Sequence, residues 1–276
     1  MQWSRNWRND CGFFTRGNWI EITWLTTAVI AGAFFLAGII DAVSGGGGLL
    51  TLPTFLLMGF PAHLVAGTNQ CSCCVGSLIS LGRFAKSGRI YWKTAAIAAP
   101  VSLLGSILGA RLNLMIPERY LQIVMLILLP IAAVVLLLNR NFGLENHADE
   151  LTCRQRVAVA LFIGLGLVWG AYTGFYGAGG GTFILLSFAL LNKLDLVTAS
   201  GNTKVCSSVA SLTAALTYAI SGAVVWQVVL PAALLNILGN YIGAGLALHK
   251  GAKVIRPMFF VVLLMLLVRL AVTLFF

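Results

Sequence analysis

The chain has 276 residues, of which 59% are hydrophobic and 9% charged, with a net charge of +10. A soluble globular domain carries roughly 25% charged residues, so an ordinary soluble fold is excluded. The positive charges fall mostly between apolar runs, which fits topology signals and anionic lipid headgroups better than a nucleic-acid surface.

Apolar runs of about 20 residues recur along the chain, each long enough to cross a hydrocarbon core of about 30 Å. Inside lipid every backbone polar group must be paired, which leaves helices or a closed barrel. The runs are continuous and rich in Leu, Ile, Val and Ala rather than alternating, so the sequence predicts an all-α polytopic bundle. Residues 1–18 carry Arg5, Arg8 and Arg16 without an adjacent apolar core, so no cleavable signal peptide is expected. Trp3, Trp7, Trp19 and Trp24 mark an N-terminal interfacial segment.

Apolar segments follow near 19–40, 46–58, 66–85, 92–115 and 119–139. A polar stretch, Asn139 to Arg156, is the one convincing linker. Further apolar segments fall near 155–175, 180–192, 199–219, 225–249 and 254–275. The division expected is an interfacial segment 1–18, a first membrane repeat 19–140, a linker 141–154 and a second repeat 155–276. The second segment of each set is about 13 residues, too short to span at 1.5 Å per residue. A glycine cluster precedes each, so both are read as broken or short helices.

The two sets repeat one another. Ser44-Gly45-Gly46-Gly47-Gly48-Leu49 answers to Gly177-Ala178-Gly179-Gly180-Gly181-Thr182, an offset of 133. Gly67-Thr68-Asn69-Gln70 answers to Gly201-Asn202-Thr203-Lys204, an offset of 134. Ser87-Gly88 and Trp92 answer to Ser221-Gly222 and Trp226, and Gly105 and Gly109 to Gly239 and Gly243. Landmarks in the same order at nearly constant offset indicate duplication. Arg83, Lys86, Arg89 and Lys93 crowd one loop, while the matching loop at Ser221 is uncharged and Lys250, Lys253 and Arg256 crowd the next. The positive side switches between halves, as an inverted repeat with an odd number of crossings requires. That arrangement places both termini outside, against which the three N-terminal arginines stand.

Chemistry is expected at the glycine clusters. Without a Cβ the chain can bend there and a ligand can approach the backbone. Free N–H groups at each new helix start, helped by the dipole, suit an anion. Candidate binding residues are therefore Gly45, Gly46, Gly47 and Gly48 with Gly179, Gly180 and Gly181. Thr68, Asn69 and Gln70, and Asn202, Thr203 and Lys204, each open a long apolar segment, where polar side chains are usually functional or paired. Lys204 offers a point charge, unless it lies one turn inside and snorkels to the interface. Asp41 precedes the first cluster and could carry a coupling proton, bind a cation or cap the following turn; Gly174 stands at its equivalent position.

Cys71, Cys73 and Cys74 lie in one apolar helix and lack zinc-site spacing, so they read as small residues that let helices approach. Gly105, Gly109, Gly239 and Gly243, with Gly166, Gly170 and Gly174, have the spacing of close helix contacts, within the chain or in a homodimer. No nucleophile–base pair, nucleotide motif, cofactor site or metal motif is visible, and enzymatic activity is not expected.

At Ile40-Asp41-Ala42-Val43-Ser44-Gly45-Gly46-Gly47-Gly48-Leu49, Ala66-Gly67-Thr68-Asn69, Gly179-Gly180-Gly181 and Gly201-Asn202-Thr203-Lys204, the chain resembles the sulfite exporter TauE/SafE (TSUP) family. The resemblance runs from about residue 25 to the end. It implies a multi-pass inner-membrane permease for small sulfur-containing anions such as sulfite, sulfonates or thiosulfate, with an ion gradient or the substrate gradient as driving force. Family members commonly have lysine where Gln70 stands, so the resemblance implies a less highly charged substrate here. A channel, or a membrane-embedded redox or assembly factor using the cysteines, would fit the same composition.

Overall fold

A computed structural model describes residues 24–115, 167–177, 179–192 and 194–255, with positions 257, 258, 261 and 264. The expected segments 119–139 and 254–275, the linker, and most of 155–175 lie wholly or largely outside the described residues, as does the N-terminal segment. Among the described residues the regular structure is helical: α1 (Trp24–Ser44), α2 (Gly48–Leu57), α3 (Ala62–Lys86), α4 (Trp92–Met115), α5 (Leu167–Phe175), α6 (Gly180–Leu191), α7 (Leu196–Ile220) and α8 (Trp226–Lys250).

The boundaries follow local chemistry. Pro61 at the start of α3 is extended, with φ −60° and ψ 132°. Asp195 caps α7, its carboxylate accepting from the N–H groups of Val197 and Thr198 at 3.1 and 3.2 Å. Both helices therefore begin before residues 66 and 199, where the apolar runs start. The polar triplets at Thr68 and Asn202 lie well inside helices instead of opening them. The two helices after the glycine clusters have 10 and 12 residues, too short to cross a core of about 30 Å.

Helices α1, α3, α4 and α8 are long and apolar enough to cross a membrane. Leu104, Leu108 and Leu112 on α4, and Leu230, Leu234 and Leu238 on α8, form exposed stripes four residues apart. Such stripes would be an aggregation liability in water but are ordinary surface against lipid. Helix α7 is equally long, and its Ser200, Asn202, Thr203, Lys204, Ser207, Ser208 and Ser211 are all buried by neighbours. It packs on α3, so the two triplet-bearing helices sit together at the centre.

The halves exchange partners around this pair. Helix α1 packs along α8, and α5 along α4; α3 also meets α8, and α7 meets α4. Glycines bring backbones together at these crossings. A Cβ on Gly239 would land on the Phe35 carbonyl oxygen, one on Gly109 on that of Ala171, and one on Gly174 on that of Ser106.

Duplicated positions make matching contacts. A Cβ on Gly67 would strike the Ala223 carbonyl oxygen, and one on Gly201 the Arg89 carbonyl oxygen. The Val225 N–H donates to Thr68 Oγ1 at 3.0 Å, and the Tyr91 N–H to Asn202 Oδ1 at 2.8 Å. Positions 89 and 91 correspond to 223 and 225 at the offset of 134. Among the described residues, each half thus holds the approach to the long helix α4 or α8 of the other. The turns feeding those helices match as well, with Gly88 at φ +69° and Gly222 at φ +73° closing the preceding helices.

Gly67→Ala or Gly201→Ala drives a methyl into a carbonyl that belongs to a fixed turn. Thermal unfolding in detergent is expected to show a loss of about 1–3 kcal/mol, the usual scale of overpacking. Gly82→Ala, whose Cβ would meet nothing within 4 Å, should leave stability unchanged or raise it.

Candidate functional site

The site is built where two helices break. Helix α1 ends at Ser44, Gly45 turns with φ +75°, and α2 begins at Gly48. In the second half α5 ends at Phe175, Gly177 and Gly179 adopt φ +78° and +76°, and α6 begins at Gly180. An L side chain is strained at these three positive φ values, so glycine is required. The two breaks lie back to back. A Cβ on Gly181 would come within 2.8 Å of the Gly45 carbonyl oxygen, and Thr182 Oγ1 donates to the Ser44 carbonyl at 2.9 Å.

No side chain caps α2 or α6, whereas Asp195 caps α7. The first N–H groups of a helix have no intrahelical acceptor and lie at the positive end of its dipole. Two uncapped starts meeting inside the protein form a region suited to negative charge.

Beside the first break lies a buried ion pair. Lys204 Nζ on α7 is 2.7 Å from Asp41 Oδ2 on α1, with side-chain exposures of 2% and 21%. Ser77 Oγ on α3 donates to the same carboxylate oxygen at 3.4 Å. A Cβ on Gly47 would fall 2.7 Å from Asp41 Cβ, which puts the carboxylate-bearing turn against the glycine cluster. Two of the alternative readings of the sequence are set aside by these contacts. Asp41 caps no turn, because its carboxylate faces the ammonium of α7, and a buried charge left without a partner would be far costlier than an uncapped helix. Lys204 does not snorkel, because α7 begins at Leu196 and the side chain is enclosed.

A neutral counterpart joins the halves the other way round. Gln70 stands at the position equivalent to Lys204, and Gly174 at that of Asp41. Gln70 Nε2 donates to the Thr173 carbonyl at 2.5 Å, beside Gly174. The α7–α1 contact and the α3–α5 contact occupy equivalent positions between the halves, one ionic and the other neutral.

The remaining triplet residues divide in role. Asn69 and Gln70 face the second break: a Cβ on Gly177 would lie 3.2 Å from Gln70 Nε2 and 3.5 Å from Asn69 Nδ2. Thr51 Oγ1 on α2 holds Asn69 by donating to its Oδ1 at 2.6 Å. Thr203 donates back to the Ala199 carbonyl of its own helix at 2.8 Å. Thr68 and Asn202 are committed to the backbone N–H groups of Val225 and Tyr91 and so hold the fold.

Thr51, Cys73, Ser77 and Thr173 also contribute here, although none is evident from motif reading. One signal was present: Asn69, Cys73 and Ser77 recur every four residues and so share a face of α3. That face meets Asp41 at Ser77, while Cys73 Sγ donates to Asn69 Oδ1 at 3.7 Å. Cys71 and Cys74 turn elsewhere and pack with Ala215 and Val229.

Comparison with known proteins agrees with this arrangement. The profile of the family described as sulfite exporter TauE/SafE matches residues 30–270. A probable membrane transporter protein, ORF9, of Sinorhizobium sp is 32% identical over 86% of this chain and 89% of its own length. The probable membrane transporter protein YfcA of Escherichia coli K12 is 29% identical over 87% and 88%. A probable membrane transporter protein of Haemophilus influenzae is 28% identical over 81% and 86%. No solved structure matches the chain. With its membrane-length apolar helices and a family match over nearly its whole length, the chain is a multi-pass membrane transporter of the TauE/SafE sulfite exporter family.

Proposed function

We propose that this transporter is a secondary carrier for a small sulfur-containing anion such as sulfite, a sulfonate or thiosulfate. The observation that carries the reading is the meeting of two uncapped helix starts beside one buried lysine. The N–H groups around Gly46 to Gly48 and Gly179 to Gly181 surround the anion, and Lys204 supplies the full charge. Asn69 and Gln70 add amide donors on the side of the second break. An oxyanion with several oxygens suits such a ring of donors from different directions.

Movement comes from the two halves. Inverted repeats that share one mid-membrane site exchange access by rocking one set of helices against the other. The α1–α8 and α5–α4 pairs are glycine-packed units of the right kind, while the α3–α7 contact at the centre holds the site. No nucleotide is needed, and a solute or ion gradient supplies the free energy.

Purified protein should be stabilised against heat by sulfur oxyanions, because a ligand that binds only the folded state raises its stability by mass action. Lys204→Gln, which copies the residue of the other half, is expected to weaken that binding at least about tenfold, a scale of about 1.4 kcal/mol. A well-folded variant with unchanged affinity would remove Lys204 from the site. Replacing Cys71 and Cys74 together by alanine is expected to preserve saturable transport in proteoliposomes, since both pack away from the breaks. Loss of transport by that folded variant would instead favour a thiol-based activity.

A further inference from the structure

The Asp41–Lys204 pair sets a charge constraint on any bound anion. The ammonium offered to an anion is already occupied by a carboxylate at 2.7 Å. Placing a second anion on it would leave net negative charge in an apolar interior, which is strongly unfavourable. Asp41 is the more exposed partner, with 21% of its side chain accessible against 2% for Lys204. It can therefore exchange a proton while the lysine stays enclosed.

We infer that Asp41 is a built-in competitor for the substrate and the proton carrier of transport, so that one proton accompanies each anion. This rests on the anion-transport reading. When the anion arrives, the contact between Lys204 Nζ and Asp41 Oδ2 breaks and Nζ donates to the anion instead. A proton from water forms an O–H bond on the released carboxylate. On the far side the anion leaves, the proton returns to water and the ion pair re-forms. A monoanion then crosses without net charge, and a dianion carries one negative charge.

Among the described residues, few ionisable groups face Asp41. Helix α7 brings Lys204, and α3 brings Ser77 and the thiol of Cys73, which lies within electrostatic reach of both charges. Helices α2 and α6 contain no titratable residue, and Tyr241, His249 and Lys250 of α8 are exposed. The equivalent contact, Gln70 on the Thr173 carbonyl, adds no second proton. Its neutral form also shows that the joint packs without charge.

The test uses the full chain in proteoliposomes with methanesulfonate, a monoanion of constant charge, and thiosulfate, a dianion. In the wild type, the apparent Kd for methanesulfonate should rise about tenfold per pH unit once Asp41 is ionised. An inward proton gradient should drive its accumulation, and an imposed membrane potential should move thiosulfate but not methanesulfonate. Asp41→Asn should make methanesulfonate binding independent of pH, tighter than wild type at the basic end, and no longer driven by protons. The double variant D41N/K204Q, matched to the neutral joint, provides a folded reference that should lose both binding and its pH slope. Potential-driven methanesulfonate uptake by the wild type, or a wild-type pH slope retained in Asp41→Asn, would overturn the inference while leaving anion transport intact. Failure of the wild type to bind either anion at any pH would overturn the transport reading and this inference with it.

Discussion

One lysine within the membrane bundle sets the terms for the rest of the structure. An ammonium enclosed by apolar helices needs a partner, and Lys204 finds it in Asp41, which lies in the other half of the chain. That pairing fixes α7 against α1 and places the carboxylate-bearing turn on the first glycine break. The break can lie there because Gly47 has no Cβ to collide with Asp41. The charge, the break and the helix crossing therefore depend on one another.

The equivalent contact between the halves solves the same packing problem without charge. Gln70 reaches a backbone carbonyl where Lys204 reaches a carboxylate, and Gly174 replaces Asp41. Both charges are absent together, as electrostatics requires: either one alone would be a buried ion without a counter-ion. The result is a nearly symmetric scaffold with a single polarised joint.

Much of the fold was legible in the sequence. Helices α1, α2, α4, α6 and α8 fall close to their apolar runs, and the glycine clusters mark both breaks, because span length and backbone freedom are local properties. Landmarks of the expected repeat make matching contacts at Thr68 and Asn202. The starts of α3 and α7 were harder to place, because Pro61 and Asp195 begin each helix ahead of its apolar run. What local reading could not supply was partnership. That Thr68 holds Val225, that Asn202 holds Tyr91 and that Asp41 turns from a cap to an ion pair all depend on contacts more than a hundred residues apart. The rule that buried charges are paired pointed in the right direction, but it could not select which acid met Lys204.

The most direct measurement is the protonation state of Asp41 when the site is filled. Infrared difference spectra of the reconstituted protein, with and without saturating thiosulfate, report a carboxyl group as it gains a proton. The account requires a protonated-carboxyl band to appear on anion binding and to be missing in Asp41→Asn. A carboxylate that stays ionised with the anion bound would contradict it and leave the Asp41–Lys204 pair a fixed strut of the fold.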